Sequence, residues 1–269
     1  MDSLPDEIKI YILKKLDAKS LKEVSTLSSA WRKLVFNSSS LLDSFTLIVS
    51  DPYEKLLEEH GSKFHFVKIH RLHVKINEFK KVLRCISNVR ELCIFYVRFK
   101  STPKSSPYKD IHLKQLKNLK LYNFSISWRI TNFLYNADME KLGLVGKGMA
   151  TYDEDFEPFG NQFLDWFCSR KKLTHLELVL EQNFGIKLFK GDLPLMQFKL
   201  KDLKIEQKSS DQIINYAPMV NIFQGQRDLE SVTLALLNIP LSTMIYKFVL
   251  YDLPSLKGLT MIQIGRAHV

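Results

Sequence analysis

Residues 4–34, LPDEIKIYILKKLDAKSLKEVSTLSSAWRKL, repeat apolar positions at helical spacing. Ile8, Ile10, Tyr11, Ile12, Leu13 and Leu16 cover well over half of a helix circumference, where an ordinary surface helix shows a single stripe. Pro5 suits a helix start, because a first-turn N–H has no intrahelical partner to lose. Asp6 and Glu7 place negative charge at the positive end of the helix dipole. Ser20 and Glu23 have the spacing of a capping box, which predicts a second helix starting there. Leu21, Val24 and Leu27 supply its apolar side, and Trp31 and Leu34 close the segment. Short helices of this size bury too little surface to offset about 1–2 kcal/mol of backbone entropy per residue. So much leucine and isoleucine predicts two covers, one from the chain behind it and one from another protein.

After Ser38–Ser40 comes a short apolar run, Leu41, Leu42, Phe45, Leu47, Ile48 and Val49, read as a bridge to the rest of the chain. Tyr53 to His60 is a predicted short helix ending at Gly61. From Val67 onward a strand-like unit recurs, with apolar residues at its positions 1, 4 and 6. It reads Ile69-x-x-Leu72-x-Val74, Val89-x-x-Leu92-x-Ile94, Leu116-x-x-Leu119-x-Leu121 and Met139-x-x-Leu142-x-Leu144. It continues as Leu173-x-x-Leu176-x-Leu178, Leu200-x-x-Leu203-x-Ile205, Leu229-x-x-Val232-x-Leu234 and Leu256-x-x-Leu259-x-Met261. Successive starts lie 20, 27, 23, 34, 27, 29 and 27 residues apart. Helical periodicity fills the gaps, at Asn77–Ser87, Ile130–Ala137, Phe159–Cys168, Gln212–Gln224 and Leu241–Leu250.

Two family resemblances rest on these residues. Leu4-Pro5-Asp6-Glu7-Ile8, Ile12-Leu13, Leu16, Leu21-Lys22-Glu23-Val24 and Leu27-Ser28-Ser29-Ala30-Trp31-Arg32 resemble an F-box. Ser28 stands where many members carry cysteine, a position expected to pack a small side chain. The later strand-then-helix rhythm resembles leucine-rich repeats, in which each unit buries its apolar edge only by stacking on a neighbour. The family's asparagine at position 9 is matched at Asn77, while Val97, Phe124, Lys147, Glu181 and Leu237 depart from it. The implied fold is α/β: a three-helix F-box over residues 1–46, then an irregular repeat solenoid over 47–263, with a curved parallel sheet inside and helices outside. The tail 264–269 resembles a peptide read through from a sequencing adapter, which predicts a natural chain interrupted near Gln263 and followed by more repeats.

Composition narrows the function. The chain has 269 residues, 45% of them hydrophobic and 25% charged, as in soluble globular proteins. No apolar run approaches the ~20 residues of a membrane span, and the acidic start MDSLPDE lacks the form of a secretory signal. Cys85, Cys93 and Cys168 are odd in number and widely spaced, which argues for a reducing compartment, cytosol or nucleus. The net charge of +10 raises the question of nucleic acid, but the charges are interleaved with apolar anchors, which disfavours it.

Catalytic chemistry is not legible. There is no G-x-S-x-G, no H-E-x-x-H and no phosphate-cradling glycine loop. No catalytic, cofactor-binding or metal-binding residue is assigned, and His70 and His73 lack a third ligand nearby. Asp153, Glu154, Asp155 and Glu157 lack calcium-loop spacing and read as a solvated insertion. Ser101–Pro107 is a loop by composition. The expectation is a binding protein, not an enzyme. The F-box resemblance implies the substrate-recognition subunit of a Skp–cullin–F-box ubiquitin ligase. Leu4, Pro5, Ile8, Leu13, Leu16, Leu21, Val24 and Trp31 would hold the Skp-family adaptor and, through it, the cullin. Repeat positions 3, 5 and 7 point to the concave surface in that family, which assigns a protein substrate of acidic or phosphorylated character to Arg71, His73, Lys75, Phe95, Lys120 and Tyr122. The competing expectation is a basic solenoid that binds nucleic acid or acidic protein surfaces without assembling a ligase.

Overall fold

A computed structural model describes residues 4–50, 55–100, 108–122, 128–147, 163–181, 195–207, 220–223, 225–237 and 253–264. The sequence expectations for Ser101–Pro107, the acidic insertion around Asp153, Leu241–Leu250 and residues 265–269 lie outside these. The predicted helix over 212–224 is described only at Val220–Phe223, which is helical.

Four helices open the chain: α1 Asp6–Leu13, α2 Ala18–Leu27, α3 Ser29–Asn37 and α4 Ser39–Leu42. Pro5 is the residue before α1, and Asp6 and Glu7 occupy its first turn as the dipole argument requires. The start of α2 differs from the capping-box reading. Asp17 caps it, accepting the Ser20 N–H at 2.8 Å, so the helix begins two residues before Ser20. Ser28 is also not a packed small residue. It is exposed and caps α3, its hydroxyl accepting the Trp31 N–H at 3.3 Å. Leu13, Leu21, Val35 and Leu41 form the buried centre of this cluster, flanked by Ile10, Leu16, Val24, Trp31 and Leu34. Phe45 packs on both this core and the larger one behind it, and Leu42 already belongs to the larger. The predicted bridge therefore joins the two, and its last residues go further by entering the sheet as β1, Thr46–Val49.

Among the described residues the large sheet is parallel and nine-stranded. Its members are β1, β2 Phe66–Ile69, β4 Glu91–Ile94, β6 Asn118–Tyr122, β7 Lys141–Lys147, β8 His175–Glu181, β9 Asp202–Gln207, β10 Ser231–Leu237 and β11 Gly258–Ile264, paired in sequence order. Short β3, Leu72–Val74, and β5, Val97–Phe99, form a separate parallel pair. Parallel neighbours need a connection long enough to return to the starting end. The described connections include α5 (Lys55–His60), α6 (Ile76–Cys85) and a helix at 163–168. Between β6 and β7 the expected helix is a 3-10 segment, Trp128–Asn132, followed by turns.

Register confirms seven of the eight apolar triples and corrects the first. Leu92, Leu119, Leu142, Leu176, Leu203, Val232 and Leu259 stand opposite one another strand by strand. Val67, not Leu72, continues that row. The first triple is thus Phe64-x-x-Val67-x-Ile69, 25 residues before Val89. A repeated hydrogen bond marks the same phase. The His65 carbonyl accepts from the N–H groups of Arg90 and Glu91, and the Arg90 carbonyl from those of Lys117 and Asn118. The carbonyls of Lys117, Glu140, Thr174, Lys201 and Glu230 repeat the pattern. The chosen phase failed because Ile69 and Leu72 are both buried and flank a corner at Arg71, whose φ is +53°. With the shift, position 9 of this unit is Leu72, a buried partner of Val97, and Asn77 is an exposed residue of α6 instead.

The sheet and its connections bury one core. Phe79 of α6, Phe99, Tyr108 and Phe133 meet in it, with Phe133 5.0 Å edge-on to Phe79 and 4.3 Å from Tyr108. Farther along, Phe167 lies 5.0 Å from Phe198. Arg170, almost fully buried, satisfies main-chain ends rather than a carboxylate, donating to the carbonyls of Trp166, Tyr135 and Ala137.

Candidate functional site

Two surfaces stand out, one on the helices and one on the sheet. On α1, the 3.6-residue repeat places Ile8, Tyr11 and Ile12 along one face, and all three are exposed, Tyr11 at 64%. Leu27, at the end of α2, is 71% exposed. Of the sequence-assigned adaptor residues, Pro5 and Ile8 are exposed and Leu4, Leu16, Val24 and Trp31 half-buried. Leu13 and Leu21 are core, at 4% and 0% exposure, and offer no surface to a partner. The pattern of one over-wide apolar helix was visible in the sequence. What it did not reveal was which side faces inward, and the structure leaves Ile8, Tyr11 and Ile12 outward and Leu13 inward. Lysines fringe this face, with Lys15 5.4 Å over the Tyr11 ring and Lys9 5.8 Å from Trp31.

On the sheet, positions 5 and 7 of successive units line up on the face opposite the apolar rows. Phe95 and Tyr122 stack in parallel with centroids 4.2 Å apart, and His70 meets Phe95 edge-on at 5.5 Å. Phe95, Lys120 and Tyr122 therefore come together as expected, with Lys120 5.6 Å over the Tyr122 ring. Arg71, His73 and Lys75 do not join them. The corrected phase puts Phe66, Lys68 and His70 in that row, while Arg71 is the corner and His73 sits in β3 opposite Arg98. His70 and His73 consequently contact different rings, Phe95 and Tyr96.

The sheet face is also less basic than its lysine content suggests. Gly143 separates β6 from β8, and a Cβ there would meet Lys120 Cγ at 2.9 Å. The lysine side chain lies over this gap and donates to Glu177 Oε2 at 2.6 Å. Lys204 donates to the other oxygen at 3.2 Å and also pairs with Glu206. Burial pushes the Glu177 carboxyl up, but its two lysine partners outweigh this and hold it below the ordinary carboxylate range. Burial likewise lowers Lys120, and Glu177 more than restores it, so the ammonium is held charged.

Burial raises Cys93 beside Lys68 and Lys120, and Cys168 is pushed up to about 11 by desolvation with Asp165 adding to it. Among the described residues no group of three His, Cys, Asp or Glu could hold a metal ion, and no helix is long and apolar enough to cross a membrane.

The helical cluster matches a known family. A family model described as F-box-like covers residues 1–46. Residues 1–46 are an F-box-like domain. Its boundary, Thr46, is the first residue of β1, so the family match stops where the parallel sheet begins. No curated protein matches the chain. Within the F-box-like domain, the buried centre holds the helices together, and the exposed Ile8, Tyr11, Ile12 and Leu27 remain for contact with something else.

Proposed function

We propose that this chain is the substrate-recognition subunit of a Skp–cullin–F-box ubiquitin ligase. The observation that carries the reading is the exposed apolar face of α1 within the F-box-like domain, made by Ile8, Tyr11 and Ile12. Ile8, Tyr11 and Ile12 of α1 and Leu27 at the end of α2 lie in solvent, although the domain has a core of its own. F-box domains generally bind Skp-type adaptors, and an apolar face fringed by lysine has the make-up of a docking surface. The sheet is read as an irregular leucine-rich-repeat solenoid that presents the substrate. The strands paired in sequence order and the carbonyl pattern running from His65 to Glu230 support that reading. The mechanism is proximity. The subunit makes and breaks no covalent bond, and it raises the concentration of a substrate beside a ubiquitin-loaded enzyme.

Co-expression of the full chain with a Skp-family adaptor tests this. The adaptor is expected to co-purify in equal amount with the wild type. It should be lost with Leu4→Ala/Pro5→Ala and with Ile8→Asp, while circular dichroism stays unchanged. Failure of the wild type to retain the adaptor, or full retention by both variants, overturns the reading.

A further inference from the structure

The basic residues that fell out of the sheet row form a surface of their own. Along β3, β5 and the residues that flank them buried and exposed positions alternate: Leu72, Val74 and Val97 point inward, and Arg71, His73, Lys75, Arg98 and Lys100 are exposed. His73 stands opposite Arg98, and the Lys100 N–H donates to the Val74 carbonyl at 3.0 Å, which brings Lys100 beside Lys75. Lys75 and Lys100 thus carry like charge side by side, with Arg98 two residues before Lys100, and like charges on neighbouring strands destabilise a sheet. Among the described residues no carboxylate relieves them. Glu78, a short way along, accepts the Lys75 backbone N–H at 2.8 Å. Elsewhere the arrangement is the opposite, with Glu177 facing Lys204 across β8 and β9, and Asp110 taking both Lys80 and Arg84. A local rule broken without a compensating contact is the mark of a functional position.

We propose that the outward face of β3 and β5 docks an extended acidic segment of a protein partner, with a carboxylate at every second residue. The partner is the ligase substrate only if the ligase reading holds; the docking itself does not depend on it. Alternate residues of a strand repeat at about 6.6 Å and neighbouring strands lie about 4.8 Å apart. An extended segment with alternating Asp or Glu repeats at the same interval, so two or three of its carboxylates meet the cations in step. Single-stranded nucleic acid fits less well. It tracks a basic groove over about 4 nucleotides or more, whereas the sheet cations Lys120 and Lys204 are already paired with Glu177.

Fluorescence anisotropy on the full chain in complex with its adaptor tests the docking. The probes are a labelled eight-residue Glu-Thr repeat, the same length of Lys-Thr repeat, a Ser-Thr peptide with one phosphoserine, and a single-stranded DNA 12-mer. The Glu-Thr probe is expected to bind saturably, to weaken as salt rises, and to lose about tenfold in affinity with Arg98→Glu/Lys100→Glu. Arg98→Gln/Lys100→Gln gives a smaller loss and covers the case in which the reversed charges disturb the fold. No saturable Glu-Thr binding, equal binding by both variants and the wild type, or tighter binding of the Lys-Thr repeat, the phosphoserine peptide or the DNA overturns the proposal. If the adaptor is not retained while the Glu-Thr probe still binds the chain, the ligase reading falls and the docking strip stands.

Discussion

The parallel sheet and the F-box-like domain handle their apolar residues in opposite ways. From Val67 to Leu234 the sheet hides its inward rows almost completely, and on its outer face it pairs charge with charge, as Glu177 does with Lys120 and Lys204. The F-box-like domain buries Leu13, Leu21, Val35 and Leu41 and leaves Ile8, Tyr11, Ile12 and Leu27 in water. Both are built from Leu- and Ile-rich segments, so composition does not account for the difference. It lies in what each has to pack on. An inner strand of the sheet has a sequence neighbour on each side, whereas α1 turns one side to the helical core and has nothing from the described chain on the other. The contrast teaches that apolar exposure on the helices goes with a missing neighbour on one side of α1 rather than with a shortage of core, which is what the proposed adaptor docking requires.

The sharpest way to break this comparison uses two leucines of one helix. Leu21 is fully buried, and Leu21→Ala is expected to cost about 2–5 kcal/mol from lost contacts and the cavity left behind. In a core of four buried residues that loss should unfold the helical cluster before the sheet, giving a two-step urea transition. Leu27 is 71% exposed, and Leu27→Ala is expected to change stability by no more than about 0.5 kcal/mol while weakening adaptor capture. Urea curves read by far-ultraviolet circular dichroism separate the two. Equal destabilisation by both would mean that the α2 end is sealed and that the comparison is wrong.

These leucines also explain how much the sequence made legible. Helical spacing announced α1, α2 and the strand triples, because periods of 3.6 and 2 survive in any register. It did not announce phase. Phe64, Val67, Ile69, Leu72 and Val74 are all apolar and all buried, so two readings of the first triple fit equally well. Only the pairing of Val67 with Leu92 chooses between them, and that pairing is a contact far apart in the chain. With the phase corrected, Arg71, His73 and Lys75 leave the large-sheet row: Arg71 is the corner, His73 is in β3 and Lys75 precedes α6. Similarly, an over-wide apolar helix predicts that some side needs covering without saying which, and only the packing shows that Leu13 faces the core while Tyr11 faces solvent. The link from Lys120 over Gly143 to Glu177 spans three strands and has no local signature at all.

That link offers a smaller perturbation of the sheet side. Gly143→Val places a branched side chain where Lys120 Cγ would lie 2.9 Å from the new Cβ. The lysine must swing away, and its bond to Glu177 goes with it. The expected cost is about 1–2 kcal/mol, because the obstacle is a flexible side chain rather than main chain. Gly143→Ala should cost less, and Gly143→Val combined with Lys120→Ala should recover part of the loss, since the clash is then gone. A double-mutant cycle measured by urea denaturation checks this. Strict additivity would mean that Lys120 does not cross the Gly143 position.

The smallest effect expected is the acid dependence of the same network, and its sign is fixed by which state holds the proton more weakly. Burial raises the Glu177 carboxyl, and Lys120 and Lys204 pull it down further than burial raises it, leaving it below the ordinary value of 4.5. A carboxyl with a lowered folded-state value stabilises the fold above the unfolded value, and that stabilisation disappears as pH drops through the folded one. Wild type should therefore exceed Glu177→Gln in stability at pH 7, by about 1 kcal/mol or less given partial exposure, and the gap should narrow as pH falls below the ordinary carboxylate value and through the lowered folded one. Glu230 supplies the control. Its carboxyl is also lowered, through the hydrogen bond from Lys257 at 2.7 Å, but the pair lies at the rim of the sheet in open solvent. Water and salt screen it, so Glu230→Gln should leave the urea midpoint unchanged across the same range. If the Glu177→Gln gap persisted unchanged to about pH 3, the network would contribute through packing alone, and charge pairing would no longer distinguish this face from the cation-only strip of β3 and β5.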